Sequence, residues 1–412
     1  MRFSSLDLHP ELQRGINACG YQDMTEIQQK AIIPARRGKD LLANAQTGTG
    51  KTAAFAVPIL QQMLDREKPT CAENPRTVIL TPTRELAEQL AHTIKAYAQF
   101  TSLSVLAIYG GVKLSAQKKK LKSGVDILIS TPGRLIEHLV QCNVYLSQVE
   151  FVVLDEADRM LDMGFIADVS SLLQKIPDTH QTLMFSATMN HQVSNLAKKL
   201  LNKHEVVSAA RQNATADTVE HVVYEVEERR KIDLFLDLID QQNWFKVLVF
   251  TSTKAQADEL KHYLKQAKIT AAVCHSDKSQ GARRRAIADF KADKVQVLIA
   301  TEVAARGLDI QGLDHVVNLN LPYLAEDYVH RIGRTGRAGS KGQAISFVSR
   351  EEERTLNNIE RLIGSKIKRL TMPGYEVGSR DSLLENINKT ARPSRTNKVS
   401  RTQVKRIKKN KS

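Results

Sequence analysis

Ala45-Gln46-Thr47-Gly48-Thr49-Gly50-Lys51-Thr52 lies between the apolar run 40–45 and the helix-forming run 52–64. A glycine loop joining a buried strand to a helix N-terminus points successive backbone N–H groups at an anion. Ala45 stands where the phosphate-cradle pattern usually carries glycine, and Gly50-Lys51-Thr52 complete it. Lys51 supplies a point charge for terminal phosphates, and the Thr52 hydroxyl suits Mg²⁺. About a hundred residues on, Asp155-Glu156-Ala157-Asp158 ends a second apolar run, 151–154. A carboxylate at that strand end can hold the Mg²⁺ a nucleotide brings. Together the two segments imply a chain that binds a nucleoside triphosphate with Mg²⁺.

Working outward, apolar strand-like runs at 77–81, 104–109, 126–130 and 182–186 join 40–45 and 151–154, with amphipathic stretches between them. In one of these, 84–100, Leu86, Leu90, Ile94 and Tyr97 share a helical face. Continuous apolar strands alternating with helices predict an α/β fold with a parallel sheet covered on both sides. The rhythm lapses in small polar residues near 208–218, then restarts at 221–226, 247–250, 271–274, 295–300, 315–319 and 344–348. The expected organisation is a nucleotide-binding domain at 1–208, a linker at 209–218, a second domain at 219–370 and a basic, disordered tail at 371–412.

The 412 residues are 42% hydrophobic and 25% charged, which is ordinary for globular protein. No run of eighteen apolar residues could span a bilayer, and the N-terminal stretch carries no secretory pattern. Cys19, Cys71, Cys142 and Cys274 are scattered and never spaced as metal pairs, which points to reduced thiols in the cytoplasm. The net charge of +15 suggests a polyanionic partner. Residues 379–412 hold eleven Lys/Arg against two Asp/Glu, so +9 of that charge sits in the tail and 15 − 9 = +6 in the rest.

More short segments follow strands: Pro82-Thr83-Arg84-Glu85-Leu86-Ala87, Gly110-Gly111, Thr131-Pro132-Gly133-Arg134 and Ser186-Ala187-Thr188, then residues 301–309 and 330–337. Open α/β sheets bind ligands at the carboxyl ends of strands, where such hydroxyls, glycines and arginines suit phosphate. As an ordered set from Phe3 to about Val348, these residues resemble the DEAD-box ATP-dependent RNA helicases, and the short basic tail looks like the bacterial RhlE-type branch of that family.

The resemblance implies two tandem RecA-like domains that close over ATP, Mg²⁺ and RNA. Gln28 would read the adenine edge, with Thr25 beside it, Tyr21 packing on the base and Phe3 as its upstream aromatic. The loop from Ala45 through Gln46, Thr47, Gly48, Thr49 and Gly50 would wrap the phosphates. Lys51 would hold them, Thr52 and Asp155 would order the Mg²⁺ shell largely through water, and Glu156 would activate the attacking water. Asp158, Ser186, Ala187 and Thr188 would couple nucleotide state to unwinding. Arg334 and Arg337 resemble arginine fingers from the second domain, His330 would bridge to the first, and Asp309 would touch the ribose. Arg84, Gly111, Thr131 and Arg134, with Thr253, Arg283 and Thr301, would contact RNA backbone without reading sequence. Met24 replaces the family's usual proline, and Glu302 its usual aspartate. A DNA-directed translocase and an ATP-gated RNA clamp are the competing functions.

Overall fold

The structure is a computed structural model that describes residues 1–45, 48–66, 74–209, 219–305, 310, 312–335 and 342–376. The first half contains β1 (Leu41–Asn44), β2 (Thr77–Leu80), β3 (Val105–Ile108), β4 (Ile127–Ser130), β5 (Phe151–Leu154), β6 (Gln181–Ser186) and β7 (Glu205–Ser208). They form one parallel sheet in the order β3-β4-β2-β5-β6-β1-β7. The second half contains β8 (Val219–Glu225), β9 (Val247–Thr251), β10 (Ala271–Cys274), β11 (Val297–Thr301), β12 (His315–Asn318), β13 (Gly342–Val348) and β14 (Lys368–Leu370). These also pair in parallel, in the order β10-β11-β9-β12-β13-β8-β14.

Successive residues of a strand point to opposite faces, so an apolar run feeds two cores. Leu41 and Ala43 enter one cluster of the first half while Leu42 enters the other. In β9, Val247 and Val249 face one cluster and Leu248 and Phe250 the opposite one. The clusters of the first half end by Ala209 and those of the second begin at Val219, so each half owns its cores. The expected parallel sheets are present, and Trp244 is buried in the second.

Two strands escape the sequence pattern. β7 is mostly exposed, and β14 reads Lys368-Arg369-Leu370; each is an edge strand with little apolar signature. The second domain also runs past the expected limit at 370. Met372 and Tyr375 are buried in its core, and the Tyr375 hydroxyl donates to Asp237 at 2.6 Å. The rest of the expected tail, from 377 on, lies outside the described residues, as does the expected linker from 210.

Candidate active site

The phosphate loop joins β1 to the helix Lys51–Asp65, whose N-cap Gly50 has φ +90°. A side chain at Gly50 would be strained by that backbone and would also strike Gln28, whose Nε2 lies 2.3 Å from where a Cβ would stand. Gln28 is only 1% exposed. Its Nε2 donates to the Gly50 carbonyl at 3.1 Å, and its Oε1 accepts from the Thr25 N–H at 2.8 Å. The expected adenine reader is therefore also a strut between the helix Glu26–Arg36 and the phosphate loop. Tyr21 lies 5.8 Å, ring to ring, from both buried Phe3 and Tyr97, and it lines the adjoining cavity. Met24 is buried in the neighbouring core and its N–H donates to the Met1 carbonyl at 2.9 Å, so no proline is needed to hold the turn. Gln46 and Thr47 lie outside the described residues.

Lys51 opens the helix with its Nζ buried, 3.7 Å from Asp155 Oδ1 and without a hydrogen-bond partner among the described residues. A buried ammonium left so is expensive unless a ligand completes it. Asp155 follows β5, and Glu156 sits in the left-handed region at φ +57°. Burial pushes both carboxyls above the usual carboxylate range, with Lys51 pulling the other way. A buried cation beside two crowded acids fits a nucleotide with Mg²⁺: Lys51 would suit phosphate, and Asp155 and Thr52 would suit the metal's shell.

The second half faces this loop. Arg334, after the helix Ala325–Ile332, lines the same cavity of about 620 Å³ as Gly48, Gly50, Lys51, Thr52 and Glu156. Arg337 and Asp309 lie outside the described residues. His330 meets Arg159 of the first half. Arg159 also pairs with Asp327, and both side chains are nearly fully buried. Burial opposes the guanidinium's charge, but Asp327 and Asp158 offset it and raise its pKa. Across the cleft, Gln280 donates to Glu85 at 3.1 Å and Arg283 pairs with Glu85 at 2.9 Å. Arg284 engages Glu88 through Nε at 3.0 Å. The residues joining the halves include Arg159, Glu85, Glu88, Gln280, Arg284 and Asp327, none of which sequence reasoning named as a site. Arg159 directly follows the Asp155–Asp158 tetrapeptide, which was the available signal.

Asp158 Oδ2 accepts from the N–H groups of Ala187 at 3.1 Å and Thr188 at 3.0 Å, and from the Thr188 hydroxyl at 3.2 Å. Ser186 Oγ donates to the Thr188 carbonyl at 2.7 Å. The acidic loop after β5 is thus tied directly to the loop after β6.

Of the expected RNA contacts, Arg84 packs on Gly110-Gly111, where a Cβ at Gly111 would stand 2.2 Å from an Arg84 terminal nitrogen. Thr131 and Thr253 begin helices after β4 and β9, and Thr301 ends β11. Two of the expected contacts also have partners inside the protein. Arg134 is buried, donating to the carbonyls of Tyr109 at 3.0 Å and Val112 at 2.5 Å and pairing with Glu137 at 2.6 Å. Arg283 is buried against Glu85. Arg134 shapes the loop carrying Gly111, and Arg283 joins the halves through one terminal nitrogen, its buried Nε having no hydrogen-bond partner among the described residues. Glu302, one methylene longer than aspartate, reaches Arg331 Nε at 2.5 Å within the second half.

The DEAD/DEAH box helicase family model matches residues 25–196, and that of the helicase conserved C-terminal domain matches 230–339. The DEAD-box ATP-dependent RNA helicase CshA of Bacillus cereus is 40% identical over 371 residues, covering 90% of this chain and 70% of the relative. The chain belongs to the DEAD-box ATP-dependent RNA helicases. CshA of Bacillus subtilis is also 40% identical, with 90% and 74% covered. The solved structure of S. cerevisiae Dbp5 bound to RNA and ADP BeF3 superimposes with a TM-score of 0.81 at 30% identity, covering 94% of this chain and 99% of that one. DEAD-box helicase Mss116 bound to ssRNA and UDP-BeF gives 0.82 at 28% identity, covering 91% and 80%. The two sheets of this DEAD-box helicase are tandem RecA-like domains, and its enzymatic activity is RNA-dependent ATP hydrolysis.

Proposed function

We propose that this DEAD-box helicase uses ATP, with Mg²⁺, to close its halves over an RNA backbone and part short duplexes. Mg²⁺, held by Thr52 and Asp155 largely through water, would neutralise charge on the phosphates. Gln28 holds the phosphate loop against the base-reading segment. Lys51 takes phosphate charge. Glu156, its carboxyl raised by burial, is poised to accept the proton of the attacking water. Arg334 brings the second half's charge to the phosphoryl group as it leaves. Asp158 passes the state of the acidic loop to Ser186-Ala187-Thr188. Arg84, Gly111, Thr131, Thr253 and Thr301 stand at strand ends that an RNA backbone can follow across both halves, without sequence readout. The scattered cysteines suit the cytoplasm, and no helix among the described residues is long and apolar enough to cross a membrane.

The observation that carries this reading is one cavity lined by Lys51 and Glu156 from one half and Arg334 from the other. The test is steady-state ATPase with RNA, with DNA of the same sequence and with neither, alongside release of a short labelled strand from a duplex. RNA should stimulate turnover and DNA should not, because a 2′-hydroxyl distinguishes them. Equal stimulation by DNA would favour a DNA translocase. Full strand release with a non-hydrolysable ATP analogue, and no recycling gain with ATP, would favour a clamp.

A further inference from the structure

Residues 110–134 hold five lysines, Lys113, Lys118, Lys119, Lys120 and Lys122, and one acid, Asp126. The helix Leu114–Leu121 carries the central three. All five lysines are exposed, and none has a carboxylate partner among the described residues. Asp126 is spent at the far end of β4, where it accepts from the Ser104 N–H at 2.8 Å and hydroxyl at 2.7 Å. The nearby Glu137 is spent on Arg134. The positive charge is therefore not neutralised locally.

This helix is fixed to the loop that bears Gly111. Gln117, buried on its inner face, donates to the Tyr109 carbonyl at 3.0 Å, and its Oε1 meets His138 at 3.1 Å. Burial and the Arg134 charge lower the His138 pKa, which favours the neutral imidazole. Arg134 donates to the Tyr109 and Val112 carbonyls on the other side of the same loop. Gln117 and Leu121 face inward, and the lysines face out. The patch begins one residue beyond Val112 and runs down the outer edge of the first sheet, where β3 is the terminal strand. At ~1.5 Å per residue the run from Lys113 to Lys122 spans about 13 Å. That matches about four phosphates of a duplexed strand, at ~3.4 Å each along the axis.

We propose that this lysine helix is a second nucleic-acid site, which holds the phosphate backbone of RNA flanking the segment bound in the cleft. The inference rests on the reading of Gly110-Gly111 as an RNA-facing loop. Long, flexible lysines give charge without base readout, so the site takes any RNA that extends past the cleft on this side. Its function is to raise affinity for structured or long RNA over short strands and to anchor the substrate while the cleft opens between rounds.

The test is binding of the full chain, with a non-hydrolysable ATP analogue, to a six-nucleotide RNA and to a thirty-nucleotide RNA carrying a hairpin, as salt is varied. The variant replaces Lys118, Lys119, Lys120 and Lys122 with Gln, and a second replaces the same four with Arg. Each phosphate released flattens the slope of log affinity against log salt by about 0.7 on a single strand and about 0.9 on a duplex. The Gln variant should lose about tenfold or more in low-salt affinity for the long RNA, its slope should flatten by about 1.5–3, and affinity for the short RNA should hold within about twofold. The Arg variant should keep wild-type binding of both. An unchanged slope for the long RNA, or equal loss for both RNAs, overturns the proposal. Loss in the Arg variant equal to that in the Gln variant also overturns it, since charge is then not the cause. Wild-type protein that binds neither RNA would instead overturn the underlying reading of the cleft.

Discussion

Lys51 and Lys231 occupy the same place in the two halves and have opposite surroundings. β1 and β8 are each sixth in their sheets, and each is followed by a helix that begins with one of these lysines. Both side chains are buried. Lys51, reached through a glycine loop, has no hydrogen-bond partner among the described residues. Lys231, reached through the acid-bearing turn Glu228–Arg230, is bound by Glu228 at 2.7 Å and Glu352 at 2.5 Å. One topology thus supports a lysine held ready for phosphate and a lysine already neutralised. The parallel continues at β2 and β9, where Thr83 and Thr253 cap the next helices by accepting from Leu86 N–H at 3.3 Å and Gln256 N–H at 3.1 Å. The fold repeats; the chemistry is set by the loops. Among the described residues, the second half contributes Arg334 to the cavity that Lys51 and Glu156 line.

That asymmetry can be broken from either side. Arg334→Ala should lower RNA-stimulated turnover by about 10³-fold while ATP binding persists. Single-turnover hydrolysis and nucleotide titration would separate the two effects. Lys51→Ala should lose about 10²–10³-fold in turnover, with nucleotide affinity falling too. Lys231→Ala should remove the cation from Glu352, which keeps its hydrogen bonds from Leu321 and Ser349, cost about 1–3 kcal/mol of stability by urea midpoint and spare the chemistry of surviving folded enzyme. If the two lysine variants behaved alike, the contrast between the unpartnered and the ion-paired lysine would fail.

The contact between halves gives a smaller effect. Arg159→Ala or Asp327→Ala should reduce the tightening of RNA binding by ATP, a coupling typically of 5–150-fold, toward none. A double-mutant cycle on RNA affinity should show that the two losses are not additive.

The smallest effect concerns the crowded acids. Burial raises the Glu156 pKa above its unfolded value, so its folding penalty is absent at low pH and develops as pH rises through the raised value. Without nucleotide, Glu156→Gln should therefore melt above wild type at neutral pH. The gap should shrink as pH falls toward the ordinary carboxylate range. A constant gap across that range would contradict the burial argument.

The central strands of the sheets were legible because most are short apolar runs buried on both faces. β7 and β14 were not, since an edge strand needs no apolar pattern. Met372 and Tyr375 are isolated apolar residues in a polar stretch, so nothing periodic announced that they pack. Lys51, Asp155 and Glu156 were legible from one segment each. Arg159 and Glu85 were not, because their partners, Asp327 with His330 and Gln280 with Arg283, come from the other half and only the tertiary structure brings them close. Arg134 shows the converse. An arginine in a phosphate-suited segment can also be engaged by backbone carbonyls and a carboxylate.

The central claim is that no hydrolysis site is complete within one half. Because each half owns its cores, residues 1–209 can be prepared alone and checked for a cooperative melt. The most direct measurement is steady-state ATPase of that segment with and without saturating RNA, beside the full chain. The account predicts weak turnover that RNA does not raise. RNA stimulation of the isolated half approaching that of the full chain would show that Arg334 and the second domain are not needed, and would contradict closure as the route to hydrolysis.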